Sequence, residues 1–329
     1  MFIGVIGCGS IGKRHINNLL ILKKKLSIKK ILIYDPSKNN IKQFQLNDKI
    51  EICKNKKDLL IKSNAVIVST PNHLHSIDTL NAIKNNCHVL VEKPFSHKIK
   101  LVDQILKTVK KKNLVLMTGY MLRYYKPFIE AKKIIDKKLL GKIYFAQINC
   151  GIFLPNWRPH LDYRKNYGAK RSQGGGVVLD LVHEINYAKW FFGKFKKISS
   201  YISKLSNLEI DTEDFASINY ITKDNIYVSL TLDYLNQAYN RNFKIIGEKA
   251  TLKWDFLDHK LEIYDINKKK WKTIIHLKKF DFNQTYLNEL SNFILSCKNK
   301  DKPKILMNEG KEDLEFIIAA FKSSKNKNL

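Results

Sequence analysis

The first third of the chain alternates short apolar runs with segments whose apolar residues recur at helical spacing. Helical spacing is found over His75–Asn85 and Ile99–Lys111. Apolar runs rich in β-branched residues, without polar alternation, are typical of strands that are covered on both faces of a parallel sheet. The pattern therefore predicts a βαβ series that ends near Gly119. Its predicted strands are Phe2–Ile6, Lys30–Tyr34, Ile50–Cys53, Ala65–Ser69, His88–Val91 and Leu114–Thr118.

Beyond Gly119 the pattern changes to alternating apolar and polar positions, which is typical of an antiparallel sheet with one covered face. The predicted strands are Ile143–Ile148, Phe215–Ile221, Ile226–Leu232, Phe243–Ile246, Thr251–Phe256 and Leu261–Tyr264, and the predicted helices are Pro127–Lys137, Val178–Phe192, Gln284–Ser296 and Asn308–Ser323. We therefore expect an α/β chain with a parallel-sheet domain over residues 1–121 and an α+β domain over 122–329. The C-terminal helix is expected to pack back on the first domain.

A glycine motif stands where the first strand must turn into a helix, and it reads Gly7-Cys8-Gly9-Ser10-Ile11-Gly12. In dinucleotide-binding turns the first glycine makes the tight turn, the second admits the pyrophosphate and the third lets the helix pack on the strand. The helix start then offers free N–H groups and the positive end of its dipole to the phosphates. We therefore predict a Rossmann-type dinucleotide site that includes Ser10 and Ile11.

The second strand ends at Asp35, about 20 residues past the glycines, where a ribose-binding acid is expected. A carboxylate there accepts hydrogen bonds from ribose hydroxyls and repels a 2′-phosphate, so NAD is favoured over NADP. Lys38 could neutralise such a phosphate and weakens this preference. The alternative, an ordinary glycine turn with a helix-capping Asp before Pro36, leaves the spacing of the two features unexplained.

Two further segments follow predicted strands, at the sheet edge where open α/β sheets bind ligands. The first contributes Thr70, Pro71, Asn72 and His75, and the second is Glu92-Lys93-Pro94. We expect both to face the cofactor, with Lys93 reaching the nicotinamide ribose and the substrate, because burial and a nearby cation would lower a lysine pKa towards catalytic use. The alternative is a surface lysine before a proline turn.

A third constellation begins with Gly174-Gly175-Gly176 and continues into a helical pattern that carries Asp180 and His183. Residues three apart project from one face of a helix. A buried helix seldom places an acid and an imidazole on such a face, so His183 is the candidate general base. The alternative is a helix-start Asp with a hydrogen-bonded core His.

Composition narrows the class of protein. Among 329 residues, 59 Lys+Arg against 30 Asp+Glu give a formal charge of +29, but the excess is mostly lysine spread along the whole chain. Dispersed surface lysines predict no nucleic-acid partner, although they could steer an anionic substrate. The five cysteines lack CxxC spacing, which predicts no metal site. Without a basic leader or an apolar run long enough for a bilayer, the chain is expected in the cytoplasm.

These motifs together resemble the glucose-fructose oxidoreductase and inositol dehydrogenase (Gfo/Idh/MocA) family over essentially the whole chain. The resemblance implies a Rossmann domain joined to a C-terminal domain whose open, mostly antiparallel sheet serves as substrate wall and oligomer interface. It implies that Lys93 hydrogen-bonds the reacting hydroxyl, that His183 exchanges its proton and that Asp180 orients the substrate. Many relatives space the last pair i to i+4 rather than i to i+3, and Pro94 matches a proline often preceded by a cis bond.

The segment Asn156–Arg164, with Asp233, Tyr234 and Arg241, is similar to members from surface-polysaccharide and nucleotide-sugar pathways. Arginine suits bidentate binding of a carboxylate or phosphate, and a structural aromatic corner with exposed arginines is the alternative. The expected substrate-binding residues are Lys93, Arg123, Trp157, Arg158, Arg164, Asp180 and His183.

We therefore predict an NAD-dependent oxidoreductase that transfers a hydride to or from a hydroxyl-bearing carbon of a sugar, cyclitol or nucleotide-linked sugar. The expected assembly is a homodimer or homotetramer through the C-terminal sheet, without a membrane partner. One rival is a redox-neutral enzyme that uses tightly bound NAD for transient oxidation and elimination or hydrolysis. Another is a non-catalytic dinucleotide sensor.

Overall fold

The structure is a computed structural model that describes residues 1–159 and 161–326. The strands, β1–β14 in chain order, are Phe2–Ile6, Lys30–Tyr34, Ile50–Ile52, Ala65–Val68, His88–Val91, Leu116–Thr118, Ile143–Gly151, Phe195–Ser203, Phe215–Thr222, Tyr227–Asp233, Asn240–Gly247, Ala250–Asp255, Lys260–Asp265 and Lys270–His276. The α-helices, α1–α11, are Ser10–Leu22, Lys38–Ile41, Lys56–Lys62, His75–Lys84, Val102–Lys112, Lys126–Asp136, Leu154–Trp157, Val177–Asp180, Val182–Phe192, Asn283–Cys297 and Glu309–Lys325.

The chain divides into two compact units. Unit 1 holds Met1–Met121 and Phe282–Leu314, and unit 2 holds Leu122–Asp281 and the chain from Glu315 onward. Unit 1 thus takes in α10, which the sequence division assigns to the second domain. Among the described residues, no helix combines the length and the apolar character that a membrane crossing requires.

Unit 1 is built on a parallel sheet in the order β3-β2-β1-β4-β5-β6, and β1 pairs in parallel with both β2 and β4. This is the order of a doubly wound dinucleotide-binding sheet. Apolar side chains such as Ile3, Ile31 and Val66 are buried on its strands, as the unbroken apolar runs predict. Because the strands are parallel, the chain leaves β1, β2, β4 and β5 at the same edge, and that edge carries the predicted cofactor residues.

Helix α10 packs against α1 within unit 1. The side-chain amides of Asn18 and Asn283 exchange hydrogen bonds of 3.1 and 2.8 Å, and the Lys298 amine donates to the Leu26 carbonyl. Phe293 and Leu290 of α10 are fully buried. Helix α1, which follows the glycine turn, is therefore covered by a helix that begins 265 residues after Asn18.

Unit 2 is built on an eight-stranded sheet in the order β14-β13-β12-β11-β7-β10-β9-β8. Its neighbouring strands are antiparallel except for the parallel pair β7 and β10, which confirms the predicted mostly antiparallel sheet. The sequence pattern missed β8 and β14, whose exposed lysines obscure the alternation. The covered face packs on an aromatic core in which the Phe128 ring lies 4.7 Å from both Tyr187 and Trp254.

The predicted single helix over Val178–Phe192 is wrong at Leu181. Helix α8 ends at Asp180, Leu181 leaves the helical conformation with φ −96° and ψ 29°, and α9 begins at Val182. Asp180 and His183 therefore lie on two different helices rather than on one helix face. The four-residue α8 is a separate turn, bounded on its other side by the three glycines.

Candidate active site

The three glycines of the turn after β1 have different surroundings. Gly7 has φ +90°, and a Cβ built on it would lie 2.6 Å from the Ser69 carbonyl oxygen. A Cβ on Gly12 would lie 1.9 Å from the Gly7 carbonyl oxygen, so any side chain there would push α1 off the strand. A Cβ on Gly9 would meet no described atom within 4 Å. The space above Gly9 is therefore open to a ligand, as a pyrophosphate requires.

The start of α1 is electrostatically suited to an anion. Gly9 is the N-cap residue, no described side chain caps the helix, and the first turn carries no acidic residue. The first N–H groups of a helix have no partner within it, and they lie at the positive end of the dipole. The N–H groups that follow Gly9 belong to Ser10 and Ile11. The turn thus has the donors and the open approach that a dinucleotide pyrophosphate needs.

Asp35 stands at the end of β2, beside this turn. Its Oδ2 accepts the Cys8 N–H at 2.7 Å, and its Oδ1 accepts the Ser37 N–H at 2.8 Å and the Asn40 amide at 3.1 Å. The carboxylate is thereby held next to the glycine loop while part of it stays accessible. Lys38 is exposed nearby along the chain. A held carboxylate at this point can accept hydrogen bonds from ribose hydroxyls.

The loops after β4 and β5 are joined by one buried imidazole. His75 Nδ1 lies 2.7 Å from the Pro94 carbonyl oxygen, and His75 Nε2 lies 2.7 Å from the Thr70 carbonyl oxygen. The Thr70 hydroxyl donates to Asp78 Oδ2 at 3.0 Å. His75 therefore fixes the segment Thr70–Asn72 against the segment that carries Lys93. The Lys93–Pro94 bond is cis, as the resemblance implies.

Glu92 forms a buried pair with His15 of α1, whose Nε2 lies 2.7 Å from Glu92 Oε1. The other carboxylate oxygen accepts the Lys93 N–H at 3.2 Å. Burial would raise the pKa of Glu92, but the hydrogen bond from His15 and the charges of His15, Lys93 and His75 hold it below its usual value. Gly119 makes room for this carboxylate, since a Cβ there would lie 3.1 Å from Glu92 Oε2. Lys93 thus follows an ionised, internally anchored glutamate.

Glu289 of α10 is a second buried acid in unit 1. It is fully buried, and neither of its carboxyl oxygens has a hydrogen-bond partner among the described residues. Burial and the charge of Glu92 raise its pKa well above the usual value, so the surroundings favour the neutral form of the group. The sequence analysis missed Glu289 and the role of His15, because neither stands next to a recognisable motif.

In unit 2, Asp180 lies on the wall of a small pocket that opens to solvent. The Tyr234 hydroxyl donates to Asp180 Oδ2 at 2.6 Å. A Cβ on Gly168 would lie 2.9 Å from the same oxygen, so the glycine lets the carboxylate approach the backbone. Aromatic side chains and one guanidinium complete the wall, and the residues that line it include Trp157, Arg158, Tyr163 and Tyr167.

The three glycines before α8 stand at positions where a side chain would be strained or would clash. Gly174 and Gly176 have φ of +76° and +109°, values that residues with side chains rarely adopt. A Cβ on Gly175 would lie 2.2 Å from the Tyr167 carbonyl oxygen, and one on Gly176 would lie 2.2 Å from Glu213 Oε1. The helix start therefore packs directly against a loop backbone and against a buried glutamate that the sequence analysis did not identify.

His183 is the second residue of α9 and is 8% exposed. The next residue, Glu184, accepts a hydrogen bond of 2.7 Å from Arg241 Nε, and both side chains of this ion pair are buried. The Tyr187 hydroxyl, one turn further along α9, is buried without a hydrogen-bond partner among the described residues. Arg241 thus anchors α9, and its charge is balanced by Glu184 rather than by a ligand.

The three predicted substrate arginines occupy different environments within unit 2. Arg158 lines the pocket and has no ion-pair partner among the described residues. Arg164 is exposed and holds the Asp162 carboxylate through two nitrogens, with Glu209 3.3 Å away. Arg123 is buried, with its guanidinium 4.2 Å from the centre of the Trp190 ring. The structure therefore brings Arg158, Trp157 and Asp180 together, while Arg164 and Arg123 have protein partners.

Comparison with protein families matches both parts of the chain. Residues 1–120 match the "Oxidoreductase family, NAD-binding Rossmann fold", and residues 128–253 match the "GFO/IDH/MocA C-terminal domain".

Individual relatives share the whole length of the chain or part of it. Myo-inositol 2-dehydrogenase of Thermotoga maritima is 25% identical over 99% of this chain and 97% of its own. The 2,7-anhydro-N-acetylneuraminate hydratase of Mediterraneibacter gnavus is 23% identical over 59% of this chain and 52% of its own. The WlbA dehydrogenase of Bordetella pertussis, solved with NADH and UDP-GlcNAcA, superposes with a TM-score of 0.82 at 20% identity, over 99% of this chain and 96% of its own.

Proposed function

The chain belongs to the Gfo/Idh/MocA family of NAD(P)-dependent oxidoreductases that act on CH–OH groups, and we propose that it oxidises or reduces one carbon of an anionic or nucleotide-linked sugar. The observation that carries this proposal is the glycine turn, in which protein atoms crowd Gly7 and Gly12 while the space above Gly9 is open. Open space above the middle glycine, between two crowded glycines, is what a turn that receives a pyrophosphate requires. The inositol and sugar dehydrogenases among the relatives support the same class of reaction.

We assign the cofactor to the N-terminal unit. The N–H groups at Ser10 and Ile11 would hold its pyrophosphate, and Asp35 would accept the ribose hydroxyls. The segments Thr70–Asn72 and Glu92–Lys93, joined through His75, would border its nicotinamide end. Asp35 favours NAD over NADP, because the 2′-phosphate of NADP would lie beside this carboxylate and be repelled by it.

We assign the proton chemistry to Lys93 and His183. In the oxidation direction the Lys93 ammonium would hydrogen-bond the substrate oxygen and stabilise the negative charge that develops on it. His183 would take the hydroxyl proton, and the carbon would become a carbonyl. A bound nicotinamide supplies the remaining chemistry by accepting the hydride with its two electrons. Asp180, held by Tyr234, would orient the substrate hydroxyls in the pocket.

The pocket of unit 2 supports the substrate class. Trp157 and Tyr167 offer faces on which a sugar ring or a base can stack. Arg158 offers a guanidinium that no described carboxylate neutralises, so a carboxylate or phosphate of the substrate would complete it. We therefore propose an acidic or nucleotide-linked sugar, of the kind used in surface-polysaccharide synthesis, and we propose that the enzyme works in the cytoplasm. Arg164, which is already paired with Asp162, is a weaker candidate for this contact.

We also propose that the enzyme assembles as a homodimer or homotetramer through the open face of its eight-stranded sheet. Within unit 2, Phe145 and Tyr227 are opposite each other in the parallel pair β7 and β10, and both are exposed. Tyr201 adds a third exposed aromatic ring on β8. Exposed aromatic residues on a sheet face are typical of interaction surfaces.

The test is turnover by the purified enzyme with NAD and a panel of free sugars, cyclitols, uronic acids and nucleotide sugars, followed by NADH absorbance. We expect NADH formation with an acidic or nucleotide-linked sugar, and Arg158→Ala should raise KM for that substrate at least tenfold. The matched control, Arg164→Ala, should change KM less than threefold. Equal effects of the two substitutions would contradict the assignment of Arg158.

A second candidate function is favoured by one comparison, the hydratase relatives that match over 58–59% of this chain. An enzyme of that type could use a tightly bound NAD to oxidise a sugar transiently before a bond is eliminated or hydrated. Such chemistry would convert the sugar without accumulating NADH. Mass spectrometry of the sugar products, run in parallel with the absorbance assay, separates the two candidates.

A further inference from the structure

Glu213 is a buried acid that the proposed mechanism does not use. It lies at the end of the loop before β9, and only 6% of the residue is exposed. Its carboxylate lies directly against Gly176, since a Cβ there would be 2.2 Å from Oε1 and 2.7 Å from Oε2. An acid is seldom buried unless it is paired or has a specific task.

The contacts of Glu213 converge on the start of α8. Its carbonyl oxygen accepts the Val177 N–H at 3.2 Å, and its carboxylate Oε1 accepts the Val178 N–H at 3.3 Å. These are two of the first N–H groups of the helix, which have no partner within the helix itself. Because α8 has only four residues, its orientation depends on such external contacts. Asp180 is its last residue.

The groups that face Glu213 come from several elements. They are Asp180 on α8, Tyr234 after β10 and Arg171 before the glycines, each of which interacts electrostatically with Glu213. Burial raises the pKa of Glu213 to about 7, and the charge of Asp180 adds to this, while the Val178 N–H and Arg171 oppose it. The carboxyl therefore changes its ionisation in the neutral range, where the usual glutamate is fully ionised.

We propose that Glu213 is a positioning residue whose ionised carboxylate holds the start of α8 and thereby fixes Asp180 in the substrate pocket. An ionised carboxylate accepts an N–H more strongly than the neutral acid does. When Glu213 takes up a proton, the bond to Val178 weakens, and with it one of the two contacts by which Glu213 holds the start of α8. The effect on turnover rests on the proposed role of Asp180, whereas the effect on α8 does not.

The kinetic test compares kcat/KM of the wild type and of Glu213→Gln at pH 6 and pH 8. Glutamine keeps the shape but carries no charge and cannot titrate, so it should behave like the protonated acid at both pH values, and its kcat/KM at pH 8 should be about tenfold below that of the wild type. At pH 6 about one tenth of the wild-type Glu213 is ionised if its pKa is about 7. The ratio of variant to wild type should therefore rise several-fold from pH 8 to pH 6. Taking the ratio cancels the effects of pH that both proteins share.

The control is Glu130→Gln on α6, which removes a partly exposed carboxylate of the same unit. Its ratio to the wild type should stay constant with pH. If the Glu213→Gln ratio is equally constant, the proposal is wrong. A pH-dependent ratio in Glu213→Gln alone supports it.

A second readout needs no substrate. Hydrogen exchange of the Val178 amide, corrected for the intrinsic dependence on pH, should show several-fold greater protection at pH 8 than at pH 6 in the wild type and equal protection in Glu213→Gln. The wild-type measurement alone remains decisive if the variant fails to fold, because flat protection between these pH values overturns the proposal. If no sugar is turned over while the exchange result holds, the proposed function fails but the role of Glu213 in holding α8 stands.

Discussion

Replacing Gly9 and Gly12 by alanine, one at a time, separates the demands of the fold from those of a ligand. Both glycines lie in the same turn, and both substitutions add one methyl group. A Cβ on Gly12 would lie 1.9 Å from the Gly7 carbonyl oxygen, whereas a Cβ on Gly9 would meet no described atom within 4 Å. Gly9 also has φ −66°, which alanine adopts without strain. The protein alone therefore penalises only the change at Gly12.

The magnitudes follow from these distances. Real Cβ contacts are essentially never shorter than 3.0 Å, so in Gly12→Ala the start of α1 must move by more than 1 Å from the turn. Overpacking of this kind costs about 1–3 kcal/mol, and we expect a loss at the upper end because both partners are backbone. In Gly9→Ala the free energy of unfolding should change by less than about 0.5 kcal/mol, because lower entropy of the unfolded chain offsets the poorer N-cap.

Gly9→Ala is expected to weaken NADH binding, although it hardly changes stability. If a pyrophosphate occupies the open space, the new methyl displaces it from the N–H groups of α1, and we expect NADH to bind at least 100-fold more weakly, or about 2.7 kcal/mol. Urea unfolding gives the stabilities, and titration of NADH fluorescence gives the affinities. A Gly9→Ala variant that is stable and binds NADH as tightly as the wild type would refute the assignment of this turn to a dinucleotide.

Three further predictions concern charges. Asp35→Ala should weaken NAD binding by about 10- to 100-fold, since it removes charge-assisted hydrogen bonds to the ribose, and NADP binding should fall less; equal losses in parallel titrations would contradict this. Glu184→Gln should lower the free energy of unfolding by about 3–5 kcal/mol because it leaves Arg241 buried without its partner, and a loss below about 1 kcal/mol in urea unfolding would show that the pair is not needed. The pKa of Glu213 is raised in the folded state, so its neutral form stabilises the fold at acid pH, and this stability is lost as pH rises through about 7. Between pH 5 and pH 8 the free energy of unfolding of Glu213→Gln should therefore rise by about 2–3 kcal/mol relative to that of the wild type. A difference that does not change with pH would contradict the raised pKa.

The N-terminal fold could be predicted closely from the sequence. Strands β1, β2 and β5 have the predicted bounds, and β3, β4 and β6 are one or two residues shorter. Local and long-range preferences agree here, because short apolar runs rich in β-branched residues are typical of strands that are covered on both faces. The glycine turn could also be predicted, because the steric reason for each glycine lies in its local surroundings.

The site in the second unit was less predictable because it depends on contacts between distant segments. The spacing of Asp180 and His183 suggested one helix face, but a helix pattern does not show the break at Leu181. The start of α8 is held by Glu213 and Gly168, which lie in other parts of the chain. Tyr234, the hydrogen-bond donor to Asp180, is likewise more than 50 residues away.

The arginines show a further limit of sequence reasoning. Arg158 and Arg164 were equivalent candidates for anion binding because both belong to one short aromatic segment. The structure gives Arg164 a nearby acid in the same segment, Asp162, and leaves Arg158 in the pocket wall.

The thiol of Cys8 lies within the glycine turn but is buried. Burial raises its pKa to about 12, which makes it an inert structural group.

The most direct test of the proposed oxidoreductase is NADH formation by the wild type, Lys93→Ala, His183→Ala and the double variant with the sugar that the panel identifies, together with NADH affinity measured on the same proteins. The account predicts that each substitution lowers kcat at least 100-fold, about 2.7 kcal/mol in the barrier, while NADH affinity stays within about threefold. If the protein that lacks both side chains keeps its rate within about tenfold of the wild type, Lys93 and His183 do not perform the proton chemistry and the central claim is wrong.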